Sequence, residues 1–262
     1  MVSGGEDGTV RLWDSKSKQF TELKGHQGYV FSVAISTNKQ TIVSGGEDGT
    51  VRLWDSKSKQ FTELKGHQGY VFSVAISTDK QTIVSGGDDG TVRLWDSKSK
   101  QFTELKGHQG YVFSVAISTH KQTIVSGGED GTVRLWDSKG KPVAELKGHQ
   151  APVSSVAIST DKQTIVSGGS DGTVRLWDSK SKQFTELKGH QTAVRSVAIS
   201  TNKQTIVSGG SDGTVRLWDI RLESWLKAGC ERLQDHPVFK NRESSEAKGA
   251  KATCEPYFRQ SR

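Results

Sequence analysis

Cysteine is nearly missing from this chain. Of 262 residues only Cys230 and Cys254 are cysteines, and both lie in the last 35. A body without cysteine cannot be held by disulfides. The two are expected to be reduced, small apolar residues in a reducing cytoplasm, with a bridge between them as the alternative. Long apolar runs are also missing: no 18 consecutive apolar residues occur, which excludes a membrane-spanning helix. The start, Met1-Val2-Ser3-Gly4-Gly5, lacks the basic-then-apolar form of a secretion signal. Apolar residues reach only 32%, too few for a bundle around one thick core. Proline is scarce at 4 residues while glycine is abundant at 29, which suits many short strands joined by tight turns. No P-loop, paired-histidine metal motif, Cys-x-x-Cys or nucleophile elbow is present. No catalytic residue, cofactor or metal site is therefore expected.

One phrase fills the space instead. Gly-Gly-Glu-Asp-Gly-Thr-Val-Arg-Leu-Trp-Asp begins at Gly4, Gly45 and Gly127, and with one letter changed at Gly86, Gly168 and Gly209. Each start is a multiple of 41 residues from the first. One full unit, Gly25–Lys65, holds strand-like runs at Tyr29–Ser36, Gln40–Ser44, Thr50–Trp54 and Gln60–Leu64, separated by turn formers. A four-stranded sheet of this size cannot bury both faces alone, but stacking copies around an axis buries them.

The Gly-His pair, the Ser-Gly-x-x-Asp-Gly-Thr-Val turn and the closing Trp-Asp resemble the WD-repeat β-propeller family over about residues 1–219. The resemblance implies an all-β propeller of about six four-stranded blades. It also implies a hydrogen-bonded tetrad in each full repeat: His26, Ser44, Asp48 and Trp54; His67, Ser85, Asp89 and Trp95; His108, Ser126, Asp130 and Trp136; His149, Ser167, Asp171 and Trp177; His190, Ser208, Asp212 and Trp218. A His/Asp/Ser set superficially resembles a hydrolase triad, but five equal copies favour a structural role.

If Ser15–Lys18 forms the hairpin turn, Arg11 faces Glu22 and Trp13 faces Phe20. The same arithmetic gives Arg52–Glu63, Arg93–Glu104, Arg134–Glu145 and Arg175–Glu186, each expected to add about 0.2–1 kcal/mol. These arginines are expected to be structural.

Because most positions match, disagreements between copies stand out. Gly28–Phe31 is repeated at Gly69–Phe72 and Gly110–Phe113, then becomes Ala151-Pro152-Val153-Ser154 and Thr192-Ala193-Val194-Arg195. The residue before the turn aspartate runs Glu6, Glu47, Asp88, Glu129, Ser170, Ser211. Both sites of variation belong at one end of a blade, the end on which the family usually binds partners. Tyr29, Phe31, Glu47, Tyr70, Phe72, Asp88, Tyr111, Phe113, Glu129 and Arg195 are the candidate partner-binding face, with drift between duplicated units as the bland reading.

The opposite face carries 15 lysines in the Ser-Lys-Ser-Lys and Thr-x-Lys-Gln loops, against eight aspartates. The formal net charge of +7 raises a nucleic-acid hypothesis. No aromatics interleave with these lysines, so a solvated basic face is favoured over a nucleic-acid site. His120 and His236 stand alone, with no metal role expected.

The ends do not match. Met1 aligns with Ile42, so the first unit lacks its inner strand, and after Asp219 the fourth-strand sequence is missing. Six incompletely sealed blades are expected. In the alternative, Gln19–Leu23 completes the last blade and leaves five. Seven is the common number in the family, so a fragment of a longer protein is also open, as is self-association through unsealed ends. Residues 220–262 form a second segment, with helical spacing at Leu222, Trp225, Leu226, Cys230 and Leu233 and a second helix at Glu246–Cys254. This tail resembles those of bacterial, especially cyanobacterial, WD-repeat proteins. The combined expectation is a cytoplasmic, non-catalytic protein-interaction scaffold, the sensor part of a larger signalling protein, with a protein or peptide partner. Nucleic-acid binding through the basic face and an enzyme using the central channel are the alternatives.

Overall fold

The computed structural model describes residues 1–118, 123–160, 164–202, 204–221 and Cys254. The chain forms two compact units, Met1–Ile199 with Val207–Arg216, and Ser200–Ile206 with Leu217–Arg262. Among the described residues, 22 strands make six antiparallel sheets in chain order. The second sheet sets the pattern, with strands Val30–Ile35, Thr41–Gly46, Val51–Asp55 and Phe61–Leu64 paired in sequence. The first sheet has three strands, Val2–Gly4, Thr9–Trp13 and Phe20–Lys24. The last also has three, Val194–Ile199, Thr205–Gly210 and Val215–Asp219. This is the all-β WD-repeat propeller fold. Phe20–Lys24 pairs with Thr9–Trp13 of its own sheet, so the five-blade alternative is not formed.

The strand runs are apolar on both faces because both faces are covered. Val43, Val51 and Leu64 of the second sheet pack against Val71, Val74, Ile83 and Trp95 of the third. The same layer recurs between the third and fourth sheets and between the fourth and fifth. Glycine sets the stacking distance. A Cβ on Gly45 would lie 2.6 Å from Val71 Cγ1 of the next sheet, closer than any real contact. A serine tie runs alongside: Val74 N–H donates to Ser32 Oγ of the preceding sheet at 3.0 Å, and Val115, Val156 and Val197 repeat the bond to Ser73, Ser114 and Ser155.

The expected hairpin register is present, with Arg11 opposite Glu22, Arg52 opposite Glu63, Arg93 opposite Glu104, Arg134 opposite Glu145 and Arg175 opposite Glu186. Its fourth copy differs in detail. There Gly140 takes the left-handed conformation (φ 82°) one position earlier than Lys59 does (φ 61°). The loop closes a residue sooner, from Asp137 N to Lys141 O, and a bulge absorbs the surplus so that Trp136 pairs with Pro142. Val143 is left exposed.

The last sheet does not bury what its counterparts bury. Val51, Val92, Val133 and Val174 are 0% exposed, whereas Val215 is 73% exposed. A Cβ on Gly209 would meet nothing within 4 Å.

In the second unit, Ser200 Oγ caps its own turn by accepting from Thr205 N–H at 3.0 Å, and Ile220 N–H donates to Gln204 O at 2.9 Å. Cys254 is buried and disulfide-bonded, which corrects the expectation of a reduced thiol. Sequence spacing leaves both redox states open, because the approach of two thiols is set by the fold and not by their separation along the chain. The expected tail helices, Cys230, His120 and His236 lie outside the described residues.

Candidate interaction face

In each full repeat one histidine ties the loop ahead of the first strand to the second strand and to the turn after it. His26 Nε2 lies 2.6 Å from Ser44 Oγ, and Ser44 Oγ accepts from Trp54 Nε1–H at 2.8 Å. His26 Nδ1 lies 2.9 Å from Asp48 Oδ1. With the imidazole kept neutral by burial, the bonds run from indole N–H to serine oxygen, from serine O–H to Nε2 and from Nδ1–H to carboxylate. His67 sits 2.7 Å from Ser85 and 3.0 Å from Asp89, with Trp95 donating to Ser85 at 2.8 Å. His108 sits 2.7 Å from Ser126 and 3.1 Å from Asp130, with Trp136 donating to Ser126 at 3.1 Å. His149 sits 2.7 Å from Ser167 and 2.9 Å from Asp171, with Trp177 donating to Ser167 at 2.8 Å. His190 sits 2.8 Å from Ser208 and 2.9 Å from Asp212; Trp218 belongs to the second compact unit. In the first sheet, which has no such histidine, Trp13 still donates to Ser3 at 2.8 Å.

Burial holds His26 and His149 below the ordinary imidazole value, against the opposing pull of Asp48 and Asp171. Burial alone would raise Asp48, Asp89, Asp130 and Asp171. Hydrogen bonds from backbone N–H groups, the imidazole and the Asp-x-Thr hydroxyl outweigh it and keep all four carboxyls low.

Sequence spacing alone does not reveal how far the network extends. Arg52 Nη2 reaches Asp48 Oδ2 and Glu63 Oε2, both at 3.2 Å, and its guanidinium stacks 4.6 Å from the Phe61 centroid. Arg93 stacks on Phe102 at 4.5 Å and Arg175 on Phe184 at 4.4 Å. In the fourth repeat Val143 stands where Phe61 does, and Arg134 lies 3.8 Å from Asp130 with its side chain 18% exposed, against 6% for Arg52. The i, i+4 spacing of Asp48 and Arg52 was the available signal.

The variable positions gather at one end of the sheets. Glu47 N–H donates to Tyr29 O at 2.8 Å, Asp88 to Tyr70 at 3.0 Å and Glu129 to Tyr111 at 2.8 Å. A bulge between Val30 and Ser32 sends Val30 into the core and leaves Phe31 on the surface. The rings then run on from sheet to sheet. Phe31 lies 5.7 Å from Tyr70 and 5.6 Å from Phe72; Phe72 lies 5.9 Å from Tyr111 and 5.6 Å from Phe113. Within a sheet, Tyr29 and Phe31 are 6.2 Å apart, and Tyr111 and Phe113 are 6.0 Å apart. The six rings form one arc, with Tyr29, Phe31, Tyr70 and Tyr111 exposed.

The carboxylates beside the arc depend on glycine. Glu47 Oε2 accepts from Tyr29 N–H at 3.0 Å and Glu129 Oε2 from Tyr111 N–H at 3.1 Å. Gly28 is left-handed (φ 98°), and a Cβ there would lie 2.4 Å from Glu47 Oε2. Where the glycine becomes Ala151 or Thr192, the acid becomes Ser170 or Ser211. Ser170 Oγ lies 3.3 Å from Ser154 Oγ, and Arg195 Nε donates to Ser211 Oγ at 2.7 Å. Arg195 is thus a surface neighbour of a serine, on the sixth sheet and not on the arc.

Matches to the family model "WD domain, G-beta repeat" cover residues 1–14, 17–55, 58–96, 99–137, 140–178 and 181–219. The chain belongs to the WD40 family. No curated protein matches it. WD40 repeats generally serve as protein-interaction scaffolds, and WD40 domains typically bind protein partners. At the other end of these WD40 sheets the lysine loops meet, with Ser56 Oγ donating to Lys39 O at 3.0 Å. Among the described residues, no helix is long and apolar enough to cross a membrane and no group of three or more His, Cys, Asp or Glu could hold a metal.

Proposed function

We propose that this WD40 protein is a non-catalytic protein-interaction scaffold and that the acid-aromatic arc on its second to fourth sheets is the face that recognises the partner. The observation that carries the reading is the continuity of six aromatic rings across three sheets, four of them exposed. Exposed contiguous aromatics are the residues from which interface hot spots are built. The tetrads are structural. Ser44, Ser85, Ser126 and Ser167 are 0% exposed and each hydroxyl already bridges a histidine and an indole, so no substrate reaches the one group that mimics a nucleophile. The same proposal makes it the recognition part of a larger bacterial signalling protein, on the resemblance of residues 220–262 to the tails of bacterial WD-repeat proteins.

The test is capture from the native host with the wild type and with Tyr29, Tyr70 and Tyr111 all changed to Ala. Partners held by the wild type are expected to be lost by the variant. A captured set unchanged in the variant removes the reading. Nucleic-acid binding through the lysine loops is a second reading, favoured only by their convergence at one end; it requires affinity that falls steeply with salt.

A further inference from the structure

We propose that the aromatic arc recognises a cationic peptide segment, one that presents arginine or lysine side chains at alternate positions of an extended chain. The inference rests on the interaction reading above and names its partner class.

The first support is charge. Glu47, Asp88 and Glu129 form no ion pair among the described residues, whereas Asp48, Glu63, Asp89 and Glu145 of the same repeats each pair with an arginine. Asp88, one methylene shorter than its counterparts, also keeps Oδ1 buried with no hydrogen-bond partner. A chain of net charge +7 thus gathers three uncompensated carboxylates around the largest exposed aromatic cluster among the described residues. Phosphate-bearing partners would be repelled there, and a cation would be attracted.

The second support is that the fold already solves the same recognition problem internally. Arg52 lies on the face of Phe61 at 4.6 Å and against the carboxylate of Glu63 at 3.2 Å. A ring beside a carboxylate is this repeat's own way of holding a guanidinium. The arc offers the ring and the acid without the arginine. A cation over an aromatic face contributes about 0.5–1 kcal/mol at an exposed site and more as water is excluded.

The third support is spacing. Successive phenylalanines along the arc, Phe31, Phe72 and Phe113, are 5.6 Å apart. Alternate residues of an extended strand advance about 6.6 Å. Side chains at i, i+2 and i+4 therefore follow the three sheets with a drift of about 1 Å per step.

The test uses the full chain and a fluorescein-labelled Gly-Ser peptide carrying arginine at three alternate positions, read by fluorescence anisotropy. Its control replaces each arginine with citrulline, which keeps the shape and removes the charge. The arginine peptide is expected to bind at least about tenfold tighter than the citrulline peptide, a difference of about 1.4 kcal/mol. Binding is expected to weaken by a similar factor in Tyr29→Ala/Tyr70→Ala/Tyr111→Ala and in Glu47→Gln/Asp88→Asn/Glu129→Gln, both with unchanged melting temperature. Equal binding of the citrulline peptide, lost in the tyrosine variant, overturns the cationic partner and leaves the interaction face standing. Arginine-peptide binding that survives the tyrosine variant, or no binding of the arginine peptide at millimolar protein, overturns the proposal outright.

Discussion

Ser44 Oγ accepts from Trp54 and, 2.6 Å away, meets His26 Nε2, and burial favours the neutral histidine whose Nε2 accepts the serine proton. That residue-scale preference has a consequence in pH. Burial depresses His26 and His149 below their ordinary 6.5. Below that value the unfolded chain takes up protons that the folded chain refuses, so stability falls as pH falls. The tetrad aspartates act in the same direction further down. Asp48, Asp89, Asp130 and Asp171 are held below their ordinary 3.8, and stability they contribute above that value is lost as pH drops toward their folded values. Each proton taken up preferentially by the unfolded state costs about 1.4 kcal/mol per pH unit. Urea unfolding at pH 8, 7, 6, 5, 4 and 3 is therefore expected to give stability that is level at the top of the range, declines below about 6.5 and declines again below about 4. Stability that rises from pH 7 to pH 5 would contradict the neutral-histidine network.

At the scale of hairpins, the turn sequences were legible and the backbone strain was not. Asp55 is the turn's acceptor, taking Lys57 N–H at 3.0 Å and Ser58 N–H at 2.7 Å, so the Asp-Ser-Lys-Ser-Lys phrase explains itself as a local cap. The arginine–glutamate register followed from loop length alone. What composition concealed is that the turn's last residue, Lys18, Lys59, Lys100 and Lys182, has a φ of 58 to 62°, where a side chain is uncommon. Asparagine tolerates that conformation and valine does not. Lys59→Asn is thus expected to be neutral or to stabilise by up to about 1 kcal/mol, and Lys59→Val to destabilise by about 1 kcal/mol or more. Thermal melts of the two variants decide it. A valine variant as stable as the asparagine variant would mean the turn relaxes into another conformation. The same limit explains the fourth hairpin. Gly140 was readable as a turn former, but its removal of one loop residue and the bulge at Val143 depend on where φ becomes positive, which no side-chain pattern states.

For the molecule as a whole, the 41-residue period made the sheet order readable, because each unit repeats the same runs and breakers. The acid-aromatic positions were also readable, since near-identical copies serve as controls for one another. The coupling of Gly28 to Glu47, and of Ala151 to Ser170, was not, because it depends on a Cβ that exists only in three dimensions. Nor was the degree to which each sheet face is covered, and here the repeat supplies its own experiment. Gly86 and Gly209 occupy the same place in their units. A Cβ on Gly86 would lie 2.6 Å from Val112 Cγ1 of the next sheet, while one on Gly209 would meet nothing within 4 Å. Close-packed interiors respond to such an insertion by shifting backbone, at about 1–3 kcal/mol. Gly86→Ala is thus expected to lower stability by that amount, and Gly209→Ala to stay within about 0.5 kcal/mol of the wild type. The comparison isolates stacking, since both variants add the same methyl to the same strand sequence. Equal loss in the two, measured by urea denaturation, would mean that the face holding Val207 and Val215 is covered in solution by a neighbouring surface. A loss confined to Gly86→Ala would establish that the sheets are held by their neighbours and that this last face stands open.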